Sequence, residues 1–124
     1  MKAVLRVEAE DVPVADLLAR VARFHDEGFR FATATCVDRG DHLDVYYHFD
    51  RDLELHTIRT PVAAGEKVPS LTPVYLCAFL VENEMSELFG LAVEGMAVDF
   101  GGGLLLAVDA PRMPMRKTAP PAAE

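Results

Sequence analysis

Apolar side chains alternate or recur at helical spacing through the first half of the chain. Residues 3–9 alternate between apolar and polar positions, which predicts a short strand with one buried face. Residues 13–28 then have the periodicity of a helix, with Pro13 in its first turn and Gly28 as a left-handed stop. The apolar positions of this helix are Val14, Leu17, Leu18, Val21 and Phe24.

A β-hairpin is predicted next. Residues 29–37 and 42–49 read as strands joined by a turn at residues 38–41. One face of the second strand carries the apolar set Leu43, Val45, Tyr47 and Phe49, and the other carries His42, Asp44, Tyr46 and His48. A tight turn at residues 50–52 would place Phe49 opposite Leu53 and Tyr47 opposite Leu55, so a third strand runs from there toward Pro61.

A second helix is predicted after a loop at residues 62–70, with Thr72 as its N-cap and Pro73 in its first turn. Its buried stripe comprises Val74, Cys77, Ala78, Val81, Met85, Leu88 and Phe89. Leu76, Phe79 and Leu80 point away from that stripe, so either residues 91–110 or another protein must cover them. These elements predict one α+β domain over residues 1–110, with a mainly antiparallel sheet of about four strands and two helices on one face.

Composition narrows the possible functions. A net charge of −8 over 124 residues gives no basic field for nucleic acid. Cys36 and Cys77 lack the spacing of a zinc or iron–sulfur site, and so few cysteines fit a reducing, cytoplasmic setting. The longest apolar run, residues 74–81, is far shorter than the roughly 20 residues of a membrane-spanning helix. We therefore expect no direct membrane insertion.

Three carboxylates, those of Glu82, Glu84 and Glu87, crowd the end of the second predicted helix. A helix C-terminus carries partial negative charge, so each is unfavourable there, and no Lys or Arg within the segment offsets them. Two interpretations stay open: a solvated acidic end that is merely tolerated, or a surface that docks basic groups.

The C-terminal tail, residues 111–124, contains four prolines and predicts an extended arm. Its basic residues are Arg112, Arg116 and Lys117. Such an arm can lie on the acidic helix end of its own chain or in an acidic groove of a partner, and the sequence does not choose between them.

Four segments together resemble a known family. They are residues 69–75 (Pro-Ser-Leu-Thr-Pro-Val-Tyr), residues 82–91 (Glu-Asn-Glu-Met-Ser-Glu-Leu-Phe-Gly-Leu), Gly95, and residues 114–117 (Pro-Met-Arg-Lys). In order and spacing they are similar to the C subunit of proton-pumping NADH:quinone oxidoreductase (complex I) and its relatives in energy-converting nickel–iron hydrogenases. That family usually has a Trp before the first Glu and a His-Pro-Asp-Leu-Arg-Arg segment after the Gly. This protein has no Trp, and Met96-Ala97-Val98-Asp99-Phe100 and three glycines follow Gly95. The short length and these departures favour the hydrogenase branch.

The resemblance implies a structural subunit without a cofactor, a metal or catalytic residues of its own. It would lie in the peripheral arm, against the large catalytic subunit and the iron–sulfur small subunit, at the inner face of the cell membrane. The residues that match the motif or supply basic groups, and that we therefore assign to the partner interface, are Glu82, Glu84, Glu87, Phe89, Gly90, Gly95, Arg112, Arg116 and Lys117.

Other functions remain as alternatives. The predicted register places His56 opposite Tyr46, so His48, His56, Tyr46 and Asp44 could gather around a metal or small molecule. Residues 101–103 (Gly-Gly-Gly) lack the spacing of a phosphate loop and predict a connector. An enzyme using Glu84 and Glu87 is a third alternative.

Overall fold

A mixed four-stranded sheet organises the part of the protein that the computed structural model describes, residues 8–117. Its strands lie in the order β1-β4-β3-β2, with β1 parallel to β4 and the other two pairs antiparallel. They are β1 (Glu10–Asp11), β2 (Arg30–Asp38), β3 (His42–Arg51) and β4 (Glu54–Ala63). The strand predicted over residues 3–9 falls largely outside the described residues. A separate parallel pair joins β5 (Lys67–Pro69) to β6 (Ala92–Glu94).

The first helix, α1 (Leu17–Asp26), follows a 3-10 turn at Val14–Asp16 and packs on the sheet. Its buried residues are Leu17, Val21 and Phe24. The Phe24 ring stacks on that of Phe49, with 4.4 Å between centroids. Gly28 follows with a φ of +84°, which confirms the predicted left-handed stop.

Strand β3 confirms the predicted alternation. Its four apolar residues, Leu43, Val45, Tyr47 and Phe49, are all buried in the core. Ile58 and Val62 of β4, which pair with Tyr47 and Leu43, complete this layer. The α+β class is therefore confirmed, with the core between the sheet and the helices.

The predicted register between β3 and β4 is wrong. Phe49 pairs with His56 rather than Leu53, and Tyr47 pairs with Ile58 rather than Leu55. The backbone turns through Asp52 and Leu53, which have φ values of 52° and 67°. Positive φ at both central residues suits the twist of a two-residue hairpin, so the turn is centred on Asp52 and Leu53, later than the predicted turn at residues 50–52. Leu53 is consequently 99% exposed.

The second helix begins later than predicted. Thr72 and Pro73 form a turn, Tyr75 is extended, and a 3-10 turn at Leu76–Ala78 leads into α2 (Phe79–Phe89). The Tyr75 hydroxyl donates to the carbonyl of Phe29 at 2.7 Å, which ties this break to the start of β2. Cys77 is exposed, so its assignment to the buried stripe is wrong, whereas Ala78 and Met85 are buried as predicted.

Within residues 8–117, no helix is long and apolar enough to cross a bilayer. Cys36 of β2 is buried, and burial raises the pKa of its thiol to about 12. It therefore carries little thiolate at neutral pH.

Candidate docking site

Residues 96–117, which we call the strap, follow β6 and fold back over α2 without helix or strand structure. Helix α2 therefore lies between two layers. Met85 faces the core, and helical geometry puts Asn83 and Glu87 on the opposite side, where the strap buries both. The Asn83 amide donates to the carbonyl of Val98 at 2.9 Å and accepts from the N–H of Phe100 at 3.0 Å. The Asn83 side chain thus pairs with one backbone C=O and one backbone N–H of the strap, as a neighbouring strand would do.

Glu87 anchors the next part of the strap. Its carboxylate accepts three backbone N–H groups, from Leu104 at 2.8 Å, Leu105 at 2.7 Å and Leu106 at 2.9 Å. Burial favours the neutral acid, but these donors and the nearby charge of Arg112 outweigh burial and hold the pKa of Glu87 below its ordinary value. A carboxylate close to a helix C-terminus is tolerated here because three donors converge on it.

Glu82 lies on the other flank of α2 and binds the turn that precedes the helix. It accepts the Ser70 hydroxyl at 2.6 Å and the Leu71 N–H at 2.8 Å. The Ser70 and Thr72 hydroxyls are 2.7 Å apart, and Thr72 accepts the N–H of Ala97 in the strap at 3.0 Å. Burial raises the pKa of Glu82, although both donors oppose that shift. The network joins the turn, α2 and the strap.

The strap also closes the C-terminus of α2, where carbonyl groups lack helical partners. Met115 donates its N–H to the Leu88 carbonyl at 2.9 Å, and Arg116 Nε donates to the Phe89 carbonyl at 2.6 Å. A cationic side chain is favourable at this end of the helix dipole. Gly90 ends the helix with a φ of 72°, and a Cβ there would collide with Met113 Sδ.

Lys117 marks the end of the described strap and reaches the sheet. Its N–H donates to the carboxylate of Asp38 at 2.7 Å, and Asp38 also accepts the Gly40 N–H at 2.8 Å. These two donors, with that of Lys117 the stronger, lower the pKa of Asp38. Of the two surfaces that the sequence offered to the tail, residues 111–117 therefore lie on their own chain.

The structure corrects the expectation that all three carboxylates are open to basic groups. Glu82 and Glu87 are buried and bonded within the protein, because their partners come from distant segments rather than from the helix. Glu84 alone of the three is exposed.

The other predicted interface residues are scattered along the strap and the end of α2. Phe89 is half-buried against the core, and Gly95 is exposed with a φ of +82°. Arg112 donates to the carbonyls of Gly102 and Val108 at 3.4 and 3.3 Å. Sequence reasoning missed Ser70, Asn83 and Asp38, which carry much of the network.

The family model described as the respiratory-chain NADH dehydrogenase 30 Kd subunit matches residues 6–124. The chain belongs to this family. One subunit in the structure of the membrane-bound sulfane sulfur reductase, an archaeal respiratory membrane complex, has a similar fold, with a TM-score of 0.67. The two are 19% identical, and the match covers 90% of this protein and 71% of that subunit. No curated protein sequence matches this one. The family that the four sequence segments suggested is thus confirmed.

In this family member the imidazoles of His48 and His56 lie on opposite faces of the sheet, so their predicted grouping is wrong. His56 packs edge-on to the Phe29 ring on the core side, at 5.0 Å between centroids. His48 instead contacts the hydroxyls of Thr35 at 3.2 Å and Thr57 at 2.9 Å, and burial lowers its pKa. Among the described residues, no three His, Cys, Asp or Glu side chains are grouped as metal ligands.

The strap covers only part of the second apolar side of α2. Phe79 packs near the Phe100 ring, at 6.3 Å between centroids. Leu76 remains 60% exposed and Leu80 52% exposed. Of the two sequence-based alternatives, coverage by residues 91–110 of the same chain therefore holds for Phe79 and not for the two leucines.

Acid should weaken the anchoring of the strap in this 30 kDa-subunit relative. The pKa values of Glu87 and Asp38 are lower in the fold than the ordinary 4.5 and 3.8. A lowered carboxyl pKa stabilises the fold fully above the unfolded value, and that contribution is lost as the pH falls through the folded value. Amide NMR shifts of Leu104–Leu106 should thus stay constant from pH 7 to 5 and move only below pH 4.5. Constant shifts down to pH 2 would contradict this.

Proposed function

We propose that this protein is a structural and assembly subunit in the peripheral arm of a membrane-bound oxidoreductase of the complex I type. It docks on the large catalytic subunit beside the iron–sulfur small subunit, and the redox chemistry belongs to those neighbours. The observation that carries this proposal is the match of the 30 Kd subunit family model to residues 6–124, nearly the whole sequence.

The hydrogen bonds that Glu82 and Glu87 make within the protein support a non-catalytic role. A general base or nucleophile needs a lone pair that can reach a substrate. Both oxygens of Glu87 accept strap N–H groups, and both oxygens of Glu82 accept donors from Ser70 and Leu71. These groups are engaged in holding the strap and the turn against α2, so the alternative of an enzyme built on Glu84 and Glu87 loses one of its two members.

The hydrogenase branch is our proposal for the class of complex. It rests on the departures of residues 96–103 from the continuation that is usual in NADH:quinone oxidoreductases. The fold that the protein shares with part of an archaeal respiratory membrane complex supports a membrane-bound setting. We place the subunit at the inner, cytoplasmic face of the membrane, held there by its partners.

Affinity purification tests the proposal. The full-length protein, tagged in its native host, should recover a large subunit of the nickel–iron hydrogenase type together with an iron–sulfur small subunit. The same tag on an unrelated protein of similar charge is the control. Recovery of the tagged protein alone, under gentle solubilisation of the membrane fraction, would contradict the proposal.

A further inference from the structure

Exposed apolar side chains lie along the junction between α2 and the strap, which we call the seam face. Leu76 and Leu80 come from the helix side, and Phe100 and Leu105 from the strap. Each is at least 42% exposed, although the backbone around Phe100 and Leu105 is fixed by hydrogen bonds to Asn83 and Glu87. The seam face is therefore both apolar and held in place, as a docking surface requires.

The charge around the seam face is mainly negative, although Arg112 lies on the strap against the carbonyls of Gly102 and Val108. Residues 68–111 contain no Lys, Arg or His. They carry six acidic residues, of which Glu82 and Glu87 are bonded inside the protein. The four that remain are all exposed and are Glu84, Glu94, Asp99 and Asp109.

Acidic side chains elsewhere in the described part of the protein are often paired. Glu10 lies 2.6 Å from Arg20, and Asp50 lies 2.6 Å from Arg30. None of the four acids of residues 68–111 that remain exposed makes an ion pair within residues 8–117. The segment that carries the uncovered leucines thus also carries four exposed acidic side chains without an ion pair among the described residues.

We infer that the seam face binds an apolar patch rimmed by Lys and Arg on the large catalytic subunit, an inference that rests on the proposed function. Basic groups on the partner would pair with Glu84 and Asp99 and would steer the encounter. A second copy of this protein fits poorly, because a two-fold interface sets the same surface against itself and would bring like charges together.

Photo-crosslinking locates the contact. Benzoylphenylalanine replaces Leu80 in the tagged full-length protein, and the control replaces Leu53, which is 99% exposed at the hairpin turn. After irradiation in the native host, the Leu80 substitution should crosslink to the large subunit and the Leu53 substitution should not. Crosslinking from Leu53 alone would overturn the assignment of the seam face, whereas the proposed function would stand.

Substitutions measure the strength of the contact. Leu80→Ser and Glu84→Lys should each lower recovery of the large subunit roughly tenfold, because central apolar and paired charged groups dominate such interfaces. Leu53→Ser and Glu54→Lys are the matched controls and should recover it as wild type does. Unchanged recovery with all four variants would overturn the inference alone. Failure of the wild-type protein to recover a large subunit would overturn the proposed function as well, and a Leu80 crosslink to a second copy would overturn the choice of partner.

Discussion

Replacing Glu87 with Ala is expected to release the strap and to lower the free energy of unfolding by about 3 kcal/mol, because three hydrogen bonds to one charged carboxylate are lost. The substitution removes the common acceptor of three backbone N–H groups, those of Leu104, Leu105 and Leu106. No other acceptor is bonded to these donors among the described residues. Urea denaturation measures the stability, and amide hydrogen exchange of the three leucines reports whether the strap itself has opened.

Glu84→Ala is the matched control, since Glu84 lies on the same helix and is exposed. It should change the free energy of unfolding by no more than about 0.5 kcal/mol. Equal effects of the two substitutions would mean that the carboxylate of Glu87 is not the anchor of the strap.

Gly90→Ala is expected to lower the free energy of unfolding by about 2–3 kcal/mol, mainly from backbone strain, with a smaller contribution from displacing the flexible Met113 side chain. The residue has a φ of 72°, and its new methyl group would meet Met113 Sδ and lie 3.1 Å from Met113 Cγ. Thermal or urea unfolding measures the loss. The double variant Gly90→Ala/Met113→Ala removes the obstacle and tests whether the two side chains compete for one position.

Gly95→Ala separates the two causes. Gly95 has a similar φ of +82°, but nothing lies within 4 Å of the position that a Cβ would take. It should therefore cost only the backbone strain, about 1–2 kcal/mol. A loss at Gly90 no larger than that at Gly95 would contradict the close contact between the strap and the end of α2.

Local periodicity predicted much of the fold. The alternation along β3 places Val45 and Phe49 in the core because side chains of a strand point to alternate faces. Gly28 ends the first helix with positive φ, as predicted from its place after an apolar helical stripe. In each case the interactions that decide the structure lie within a few residues.

The hairpin register depends on the positive φ of Leu53, which the residue type did not predict. Leu53 adopts positive φ, which is uncommon for a residue with a branched side chain, so the apolar pattern suggested a core strand position instead. The resulting shift moved His56 from the outer face to the core face. The predicted grouping of the two imidazoles is therefore wrong, because a register shift by an odd number of residues exchanges the two faces of a strand.

Local patterns also failed to predict the environment of Glu82 and Glu87, because the contacts of these carboxylates are distant in sequence. Dipole and i+4 arguments consider the helix alone and therefore find Glu82 and Glu87 unpaired. Their donors come from the turn at Ser70 and Leu71 and from residues 104–106. The periodicity of the sequence does not predict those contacts. The resemblance identified the family correctly, whereas only the three-dimensional structure separates the residues that fold the strap from those that remain exposed.

The central claim is that Glu82 and Glu87 hold the turn and the strap against α2 and that the seam face stays open for a partner. A structure of the complex purified through this protein is its most direct test. We predict that Glu82 and Glu87 keep their hydrogen bonds within the subunit and that Leu80 and Glu84 contact the large subunit. Ion pairs from Glu82 and Glu87 to basic side chains of a partner, with Leu80 left in solvent, would contradict it.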